Sequence, residues 1–360
     1  MKYLFFKTLF LALVGCTATQ EAGDVLGPHD DASIPDAVDL ESPFPLTVMS
    51  FNVGTTNRLP HRTDPDGYSD ELADLNASYF SDNLAWVPAQ LAVREMIDAL
   101  KPDVIAFQEV FYDPDCEELC PTEQDPDDET PAIVCQGDTF PCDAWHPGGE
   151  ITARRIVGPD YDLACAPGRP ENCVAVLRTV ATLEGVEDDL EIGVLDGMRP
   201  PNECTSGARV ATGVVHLGDG TSIAVVNVHA TALLAQECRE AQFRQIFEDR
   251  GDGRPAAFGE HNLVMGDMNM DPFLMCPQTD KSVAYWKEHV GEGKAFQYLS
   301  SADREGPDTH PYTFMKLDHV ISDSLTGSCV VLGETEDTSA PLSEGSTYFD
   351  HRPILCTVDL

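Results

Sequence analysis

Six short polar signatures stand at the ends of apolar runs in this chain. They are Asn52 in VMSFNV, Glu109 in DVIAFQEV, His229 in IAVVNVH, Asp267 and Asn269 in NLVMGDMN, Asp318 in LDHV, and Asp350 with His351 in FDHRP. Their side chains form the inventory that hydrolysis of a phosphoester requires. The attacking water needs a base, most often a histidine oriented by a carboxylate. Charge developing on the phosphoryl oxygens needs a cation or fixed donors. Mg²⁺ takes oxygen ligands and is usually held by one or two carboxylates. Glu109 is a hard oxygen ligand, and Asn52 and Asn269 are amide donors or carbonyl ligands. His229 and His351 carry protons, and Asp267, Asp318 and Asp350 orient or ligate. Each alone has an ordinary explanation: a strand-end cap at Asn52, a solvated end at Glu109, an Asx-turn at Asp267 and Asn269. All of them at run ends imply that those ends converge.

The elements that must bring them together are legible from periodicity. Each run is short, apolar and rich in β-branched residues, as a buried strand is. TVMSFNV, DVIAFQEV, CVAVLRTV, ARVATGVVHL, SIAVVNVHA, NLVMGDMN, KLDHVIS and RPILCTVDL read as strands. Leu91, Met96 and Leu100 predict a helix from about Pro88 to Leu100, closed by Lys101 and Pro102. ALLAQECREAQFRQIFE predicts another. LGDGTS, between two strands, is a hairpin signal. Several strand pairs are separated only by turns. That pattern suits an α+β fold of two packed, mostly antiparallel sheets with helices outside. Tyr285, Trp286, Phe296 and Tyr298 offer an aromatic wedge for a membrane or, more simply, core.

These motifs, in this order, resemble the endonuclease/exonuclease/phosphatase superfamily from about Thr47 to the C-terminus. GDMN and the closing DHRP are the most specific pieces. The resemblance implies a four-layer α/β/β/α sandwich and a metal-dependent hydrolase of phosphodiesters, nuclease-like or of sphingomyelinase type. It implies that Glu109 is the main metal ligand, with Asn52 and Asp350 assisting. His351 becomes the general base, paired with Asp318. Asp267 and Asn269 orient the nucleophile and bind phosphate, and His229 contacts the phosphate or protonates the leaving group. The expected cofactor is Mg²⁺, with Mn²⁺ or Ca²⁺ as alternatives. The expected substrate is nucleic acid or a phospholipid headgroup. His319 stands where the family often has an aromatic; alternation puts it on the face opposite Asp318, as packing. Glu171, Asn172 and Arg178 are candidates for the polar positions the family supplies before His229. A non-enzymatic surface-binding protein with this fold would lack a base, an acid or a ligand, and none is missing.

Composition narrows the setting. Asp and Glu number 62 against 22 Lys and Arg, a formal net charge of −40. That balance favours solubility and argues against a broad basic surface tracking nucleic acid through many phosphates. It leaves room for a small phosphate site built around a cation. Lys2 and Lys7 precede a short apolar stretch ending in Leu13-Val14-Gly15-Cys16. The stretch is a signal-peptide core rather than a membrane span. It resembles a bacterial lipobox, which implies lipidation of Cys16 and an outer-membrane anchor. Residues 17–45 are expected to be a flexible acidic tether, and residues 46–360 one domain, acting as a monomer. Beyond Cys16 eleven cysteines remain. In an exported chain they predict disulfides, with at least one free or paired outside the chain. Cys165 with Cys173 is the expected pair. Cys116, Cys120, Cys135 and Cys142 admit three pairings, or a zinc site. They staple an acidic insertion at about residues 112–149. Asp64, Asp66, Gly67 and Asp70 have the oxygen spacing of a calcium loop, or of an acidic surface loop.

Overall fold

The computed structural model describes residues 45–55, 69–120, 135, 139–186, 191–199, 204, 208–232, 235–311, 313–333 and 349–360. The leader with Cys16, nearly all of the tether, and Asp64, Asp66 and Gly67 lie outside the described residues.

Two seven-stranded sheets carry the fold. The first runs β13 (Thr326–Val331), β14 (Ile354–Asp359), β1 (Leu46–Asn52), β2 (Val104–Gln108), β4 (Arg169–Leu177), β3 (Tyr161–Ala166), β6 (Ile192–Val194). The second runs β11 (Gln297–Tyr298), β12 (Asp318–Ser322), β10 (His261–Asp267), β9 (Ser222–His229), β8 (Val210–Leu217), β5 (Ala181–Leu183), with β7 (Asp196–Gly197) also on β8. Most neighbours are antiparallel; β1 with β2, β9 with β10 and β3 with β6 are parallel. β8 and β9 form the hairpin expected at LGDGTS.

Alternation along the strands splits the apolar residues among three cores. Val48, Val104, Ala106, Val225 and Met265 meet between the sheets. Met49, Phe51, Ile105 and Phe107 face outward onto helix α2 (Val87–Leu100). Val226, Val228 and Val264 face outward onto α5 (Gln236–Phe247) and α6 (Lys281–His289). Three cores separate four layers, so the α/β/β/α sandwich follows from period-two burial on both faces of both sheets.

The helix predicted near Pro88 forms, but its buried face is Ala89, Gln90, Val93, Met96 and Ile97. Leu91 is 60% exposed. Five residues separate Leu91 from Met96, which at about 100° per residue places them on different faces. A helix the sequence reading did not anticipate, α1 (Asp70–Phe80), follows the acidic loop; Ser69 caps it by accepting from Leu72 N–H.

Cys165 pairs with Cys173 as expected. The cluster resolves as Cys116–Cys142 and Cys120–Cys135, which overturns the zinc alternative. Cys204–Cys238 and Cys329–Cys356 complete the pairs described. No described cysteine is free, which overturns the free-thiol form of the expectation for the odd cysteine. A short helix, α3 (Cys116–Leu119), lies within the stapled insertion, and another, α4 (Thr152–Val157), follows it. Phe140 of the insertion packs on Phe80 and Trp86. Tyr285, Trp286 and Phe296 are buried, and Tyr298 packs against their core, so none of the four offers a membrane wedge.

Candidate active site

Strand pairing assembles the site. Asp267 closes β10 directly opposite His229 of β9 on one side and Asp318 of β12 on the other. Three chemistry-bearing residues far apart in the chain therefore stand in one row across the second sheet. In the first sheet Asn52 is in register with Gln108, one residue before Glu109. A buried amide bridge holds the sheets together just beneath. Gln108 Nε2 donates to Asn227 Oδ1 at 2.7 Å, and Asn227 Nδ2 donates to the carbonyls of Phe107 and Cys173 at 2.9 and 3.0 Å. With that bridge in place, Glu109 and His229 reach each other, Oε1 to Nε2, at 3.1 Å.

Backbone conformation aims two of the side chains. Glu109 and Asn269 have φ of 59° and 49°, in the left-handed region that non-glycine residues rarely occupy. β10 ends at Asp267, so Asn269 reaches it through a turn. Asp267 Oδ1 accepts from Asn269 N–H at 2.7 Å, and Oδ2 accepts from Asn269 Nδ2 at 2.8 Å and from Asn52 Nδ2 at 3.2 Å. Asn269 Nδ2 also donates to the Ala230 carbonyl. Gly266, at φ 140°, lies so close to the Val228 carbonyl that any Cβ would collide with it. This glycine lets β10 approach β9 and seats Asp267 beside His229.

Asp267 Oδ2 is the hub: it lies 3.9 Å from Nε2 of both His229 and His351. His351 Nδ1 donates to Asp318 Oδ2 at 2.7 Å. Asp318 is itself fixed, because Thr309 Oγ1 accepts its backbone N–H at 3.0 Å. Burial works to lower the His351 imidazole, but Asp318, Asp267 and Asp350 hold it well above the ordinary histidine range. Burial works to raise Asp318, and the His351 charge and hydrogen bond hold it below its usual value. Burial, then Arg169 and Arg209, hold His229 well below the histidine range, so it stays neutral. Asp267 and Asp350 are each pushed up to about 7, by burial first, and Glu109 is raised by burial as well. Glu109 raises both of those aspartates.

Three carboxylates at partial cost to one another, Asp267 buried and Glu109 and Asp350 half-buried, suit a divalent cation, whose charge would offset theirs. Glu109 accepts a hydrogen bond from Asn52, and the buried Oδ1 of Asp350 has no partner among the described residues. The carboxylates of Glu109 and Asp350 are hard oxygen donors and fit Mg²⁺, while Asn52 turns its Nδ2 to Glu109 and Asp267, accepts the Gly54 N–H at its Oδ1 at 2.9 Å, and so orients Glu109.

The structure thus brings together Asn52, Glu109, His229, Asp267, Asn269, Asp318, Asp350 and His351. Of the three further candidates, Asn172 is buried beside the site end of β4, where its Nδ2 faces the Ala208 carbonyl at 3.4 Å. Glu171 is paired with Arg169 at the same end. Arg178 is not part of the site: it follows the far end of β4 and pairs with Asp162. His319 packs among Phe273, Trp286 and Tyr298 on the other face, as alternation required. The sequence reading missed Arg209, which donates to the His229 carbonyl at 3.1 Å. It also missed His310, whose ring stands edge-on to His351 with centroids 4.8 Å apart. Neither closes an apolar run, which is why the strand-end signal passed over them.

The model of the Endonuclease/Exonuclease/phosphatase family matches residues 49–337. The match stops before Asp350 and His351, which the fold returns to the site. No curated protein matches the sequence. Solved structures it is similar to include a functionally unknown conserved protein from Enterococcus faecalis V583, at 13% identity and TM-score 0.46, covering 87% of this chain and 99% of that one. Another is the human Nocturnin catalytic domain with bound sulfate, at 16% and 0.45, covering 88% and 94%. A third is an endonuclease/exonuclease/phosphatase from Beutenbergia cavernae DSM 12333, at 14% and 0.46, covering 88% and 72%.

Proposed function

Because the chain belongs to the endonuclease/exonuclease/phosphatase family, and is thus a phosphoester hydrolase, we propose that it cleaves phosphodiesters with Mg²⁺, in the manner of a nuclease. The observation that carries this reading is the Asp318–His351 pair set against Asp267, with Glu109 and His229 on the other side of the same carboxylate.

His351 spends its Nδ1 proton on Asp318, which fixes the ring and leaves Nε2 to take the proton of the attacking water. Asp267 orients that water, and Asn269 is held beside it as a phosphate donor. Neutral His229 serves as a donor to a phosphoryl oxygen or to the leaving group. Mg²⁺ held by Glu109 and Asp350, with Asn52 orienting Glu109, would supply charge stabilisation at the phosphoryl oxygens. The carboxylates that keep a proton on His351 include Asp350, so cation binding and base function are coupled through one set of charges.

Phe314 supports the nuclease-like form. It is 75% exposed in the turn that also bears His310, a stacking face for a nucleobase beside the site. Five disulfides support an extracytoplasmic location, in line with the leader. Anchorage through a lipidated Cys16 at an outer membrane remains a proposal from the leader sequence alone.

The test is a substrate panel. Purified protein is incubated with DNA, RNA, sphingomyelin and a chromogenic phosphodiester, with Mg²⁺ or with EDTA. EDTA-sensitive turnover of DNA or RNA is expected. Turnover of sphingomyelin alone would replace the nuclease-like reading with a phospholipase C, and no EDTA-sensitive turnover at all would remove the enzyme reading.

A further inference from the structure

The groups left over by this chemistry gather on one side of His351. His310 begins a turn closed by its backbone pairing with Met315, N to O at 3.0 Å. The residue before it, Thr309, accepts the N–H groups of Leu317 and Asp318 at its hydroxyl, and the Arg352 N–H at its carbonyl, 2.7 Å away. His310 is therefore clamped between the start of β12 and the residue following His351. Its Nε2 faces Asp350 Oδ2 at 3.9 Å.

The two histidines are set in the same sense. His310 Nδ1 lies 2.9 Å from Thr313 Oγ1, which in turn donates to the His310 carbonyl at 3.3 Å. The Thr313 N–H donates to the same nitrogen at 3.3 Å, so hydroxyl and backbone of Thr313 together hold the ring at Nδ1. His351 Nδ1 donates to Asp318. A ring fixed at Nδ1 turns its Nε2 edge to one side, and contacts of this kind orient histidine ligands of first-row metals. Both rings adjoin one carboxylate, Asp350, whose buried Oδ1 has no described partner. Ligand atoms of His310, Asp350 and His351 all lie within 4.8 Å of one another.

We propose that His310, Asp350 and His351 form a second cation site that takes Zn²⁺ in preference to Mg²⁺, and that filling it silences hydrolysis. Two imidazoles and one carboxylate suit Zn²⁺, whereas Mg²⁺ demands oxygen. The silencing follows because the ion takes the lone pair that His351 needs as a base. That half rests on the base assignment proposed above; the binding half does not.

The experiment titrates Zn²⁺ into the full chain against a chromophoric chelator, with Mg²⁺ in excess, without substrate. One tight zinc equivalent is expected. His310→Gln should abolish it, and Thr313→Val, which removes the hydroxyl contacts to the His310 ring and carbonyl and keeps the backbone N–H contact, should weaken it about tenfold. Co²⁺ in place of Zn²⁺ should give visible ligand-field bands that His310→Gln removes. Thermal melts of both variants report whether they fold. In parallel, Zn²⁺ should inhibit Mg²⁺-driven turnover, and Thr313→Val should raise the inhibiting concentration by the same factor. Zinc affinity equal in wild type and both variants overturns the site. His310-dependent zinc binding with turnover unaffected overturns the silencing. His310-dependent binding in a protein that turns over no substrate upholds the site and counts against the hydrolase reading alone.

Discussion

Gly54 offers a way to disturb the cation site without altering any group that does chemistry. A Cβ built on Gly54 would collide with Glu109 Oε2, with Glu109 Cδ at 3.1 Å and the Asp82 carbonyl at 3.0 Å. That carbonyl accepts Thr55 N–H at 2.7 Å and is not able to retreat. Gly54 is not among the glycines with positive φ, so alanine is allowed there by the backbone. What must move in Gly54→Ala is the Glu109 carboxylate. A misplacement of about 1 Å at a reacting centre costs roughly 10²-fold in rate, or about 2.7 kcal/mol of transition-state stabilisation. Folding should suffer less. Overpacking costs roughly 1–3 kcal/mol, and the stiffer unfolded chain returns about 0.4–1 kcal/mol. The assay is a Mg²⁺ titration of turnover on a chromogenic phosphodiester, with melting followed in EDTA. The variant should fold, melt within roughly 10 °C of wild type, need more Mg²⁺ and turn over about 100-fold more slowly. A variant with the wild-type Mg²⁺ midpoint and rate would show that the carboxylate does not work from the position over Gly54.

Three further outcomes are expected. His351→Ala should lower kcat by roughly 10²–10⁴-fold. Because it strands buried Asp318, it should also cost about 3–5 kcal/mol of stability, part of which Asp318→Asn in the same chain recovers; calorimetry showing no destabilisation would contradict the buried pair. For pH, Glu109, Asp267 and Asp350 have folded pKa values raised above their unfolded ones, two of them to about 7. Their contribution to the stability of the metal-free chain is therefore complete below about pH 4 and lost as pH rises through about 7. His351, also raised, acts in the same direction. The gain in melting temperature from Mg²⁺ over EDTA should thus be larger at pH 8 than at pH 5, and a gain independent of pH would rule out charge relief among these groups. Phe314→Ala should raise KM for single-stranded nucleic acid by roughly 5- to 100-fold, the worth of one stacked base, with a smaller effect on a chromogenic diester; equal effects on both would remove the stacking role.

Much of this molecule was legible in one dimension. The short apolar, β-branched runs TVMSFNV, DVIAFQEV, SIAVVNVHA and NLVMGDMN are a local property, and they marked the strands and the residues at their ends. The family order of those ends pointed to the sandwich and to its eight site residues. The short separation of Cys165 and Cys173 across a turn made their pairing visible too. What the chain left open depends on which elements face each other. Leu91 has helical spacing yet looks outward, because the sheet against which α2 packs selects one of its faces. The pairing of Cys116, Cys120, Cys135 and Cys142 depends on how the insertion folds on α2. Asp267 meets both histidines only because β10 lies between β9 and β12 in one register, while the Gln108–Asn227 bridge brings the other sheet over it. His310 carries no strand-end signature; it enters through a turn held by β12 and the segment following His351. Alternation is written in neighbouring residues, whereas register and loop docking are set by contacts across dozens or hundreds of positions, and there only the folded structure decides.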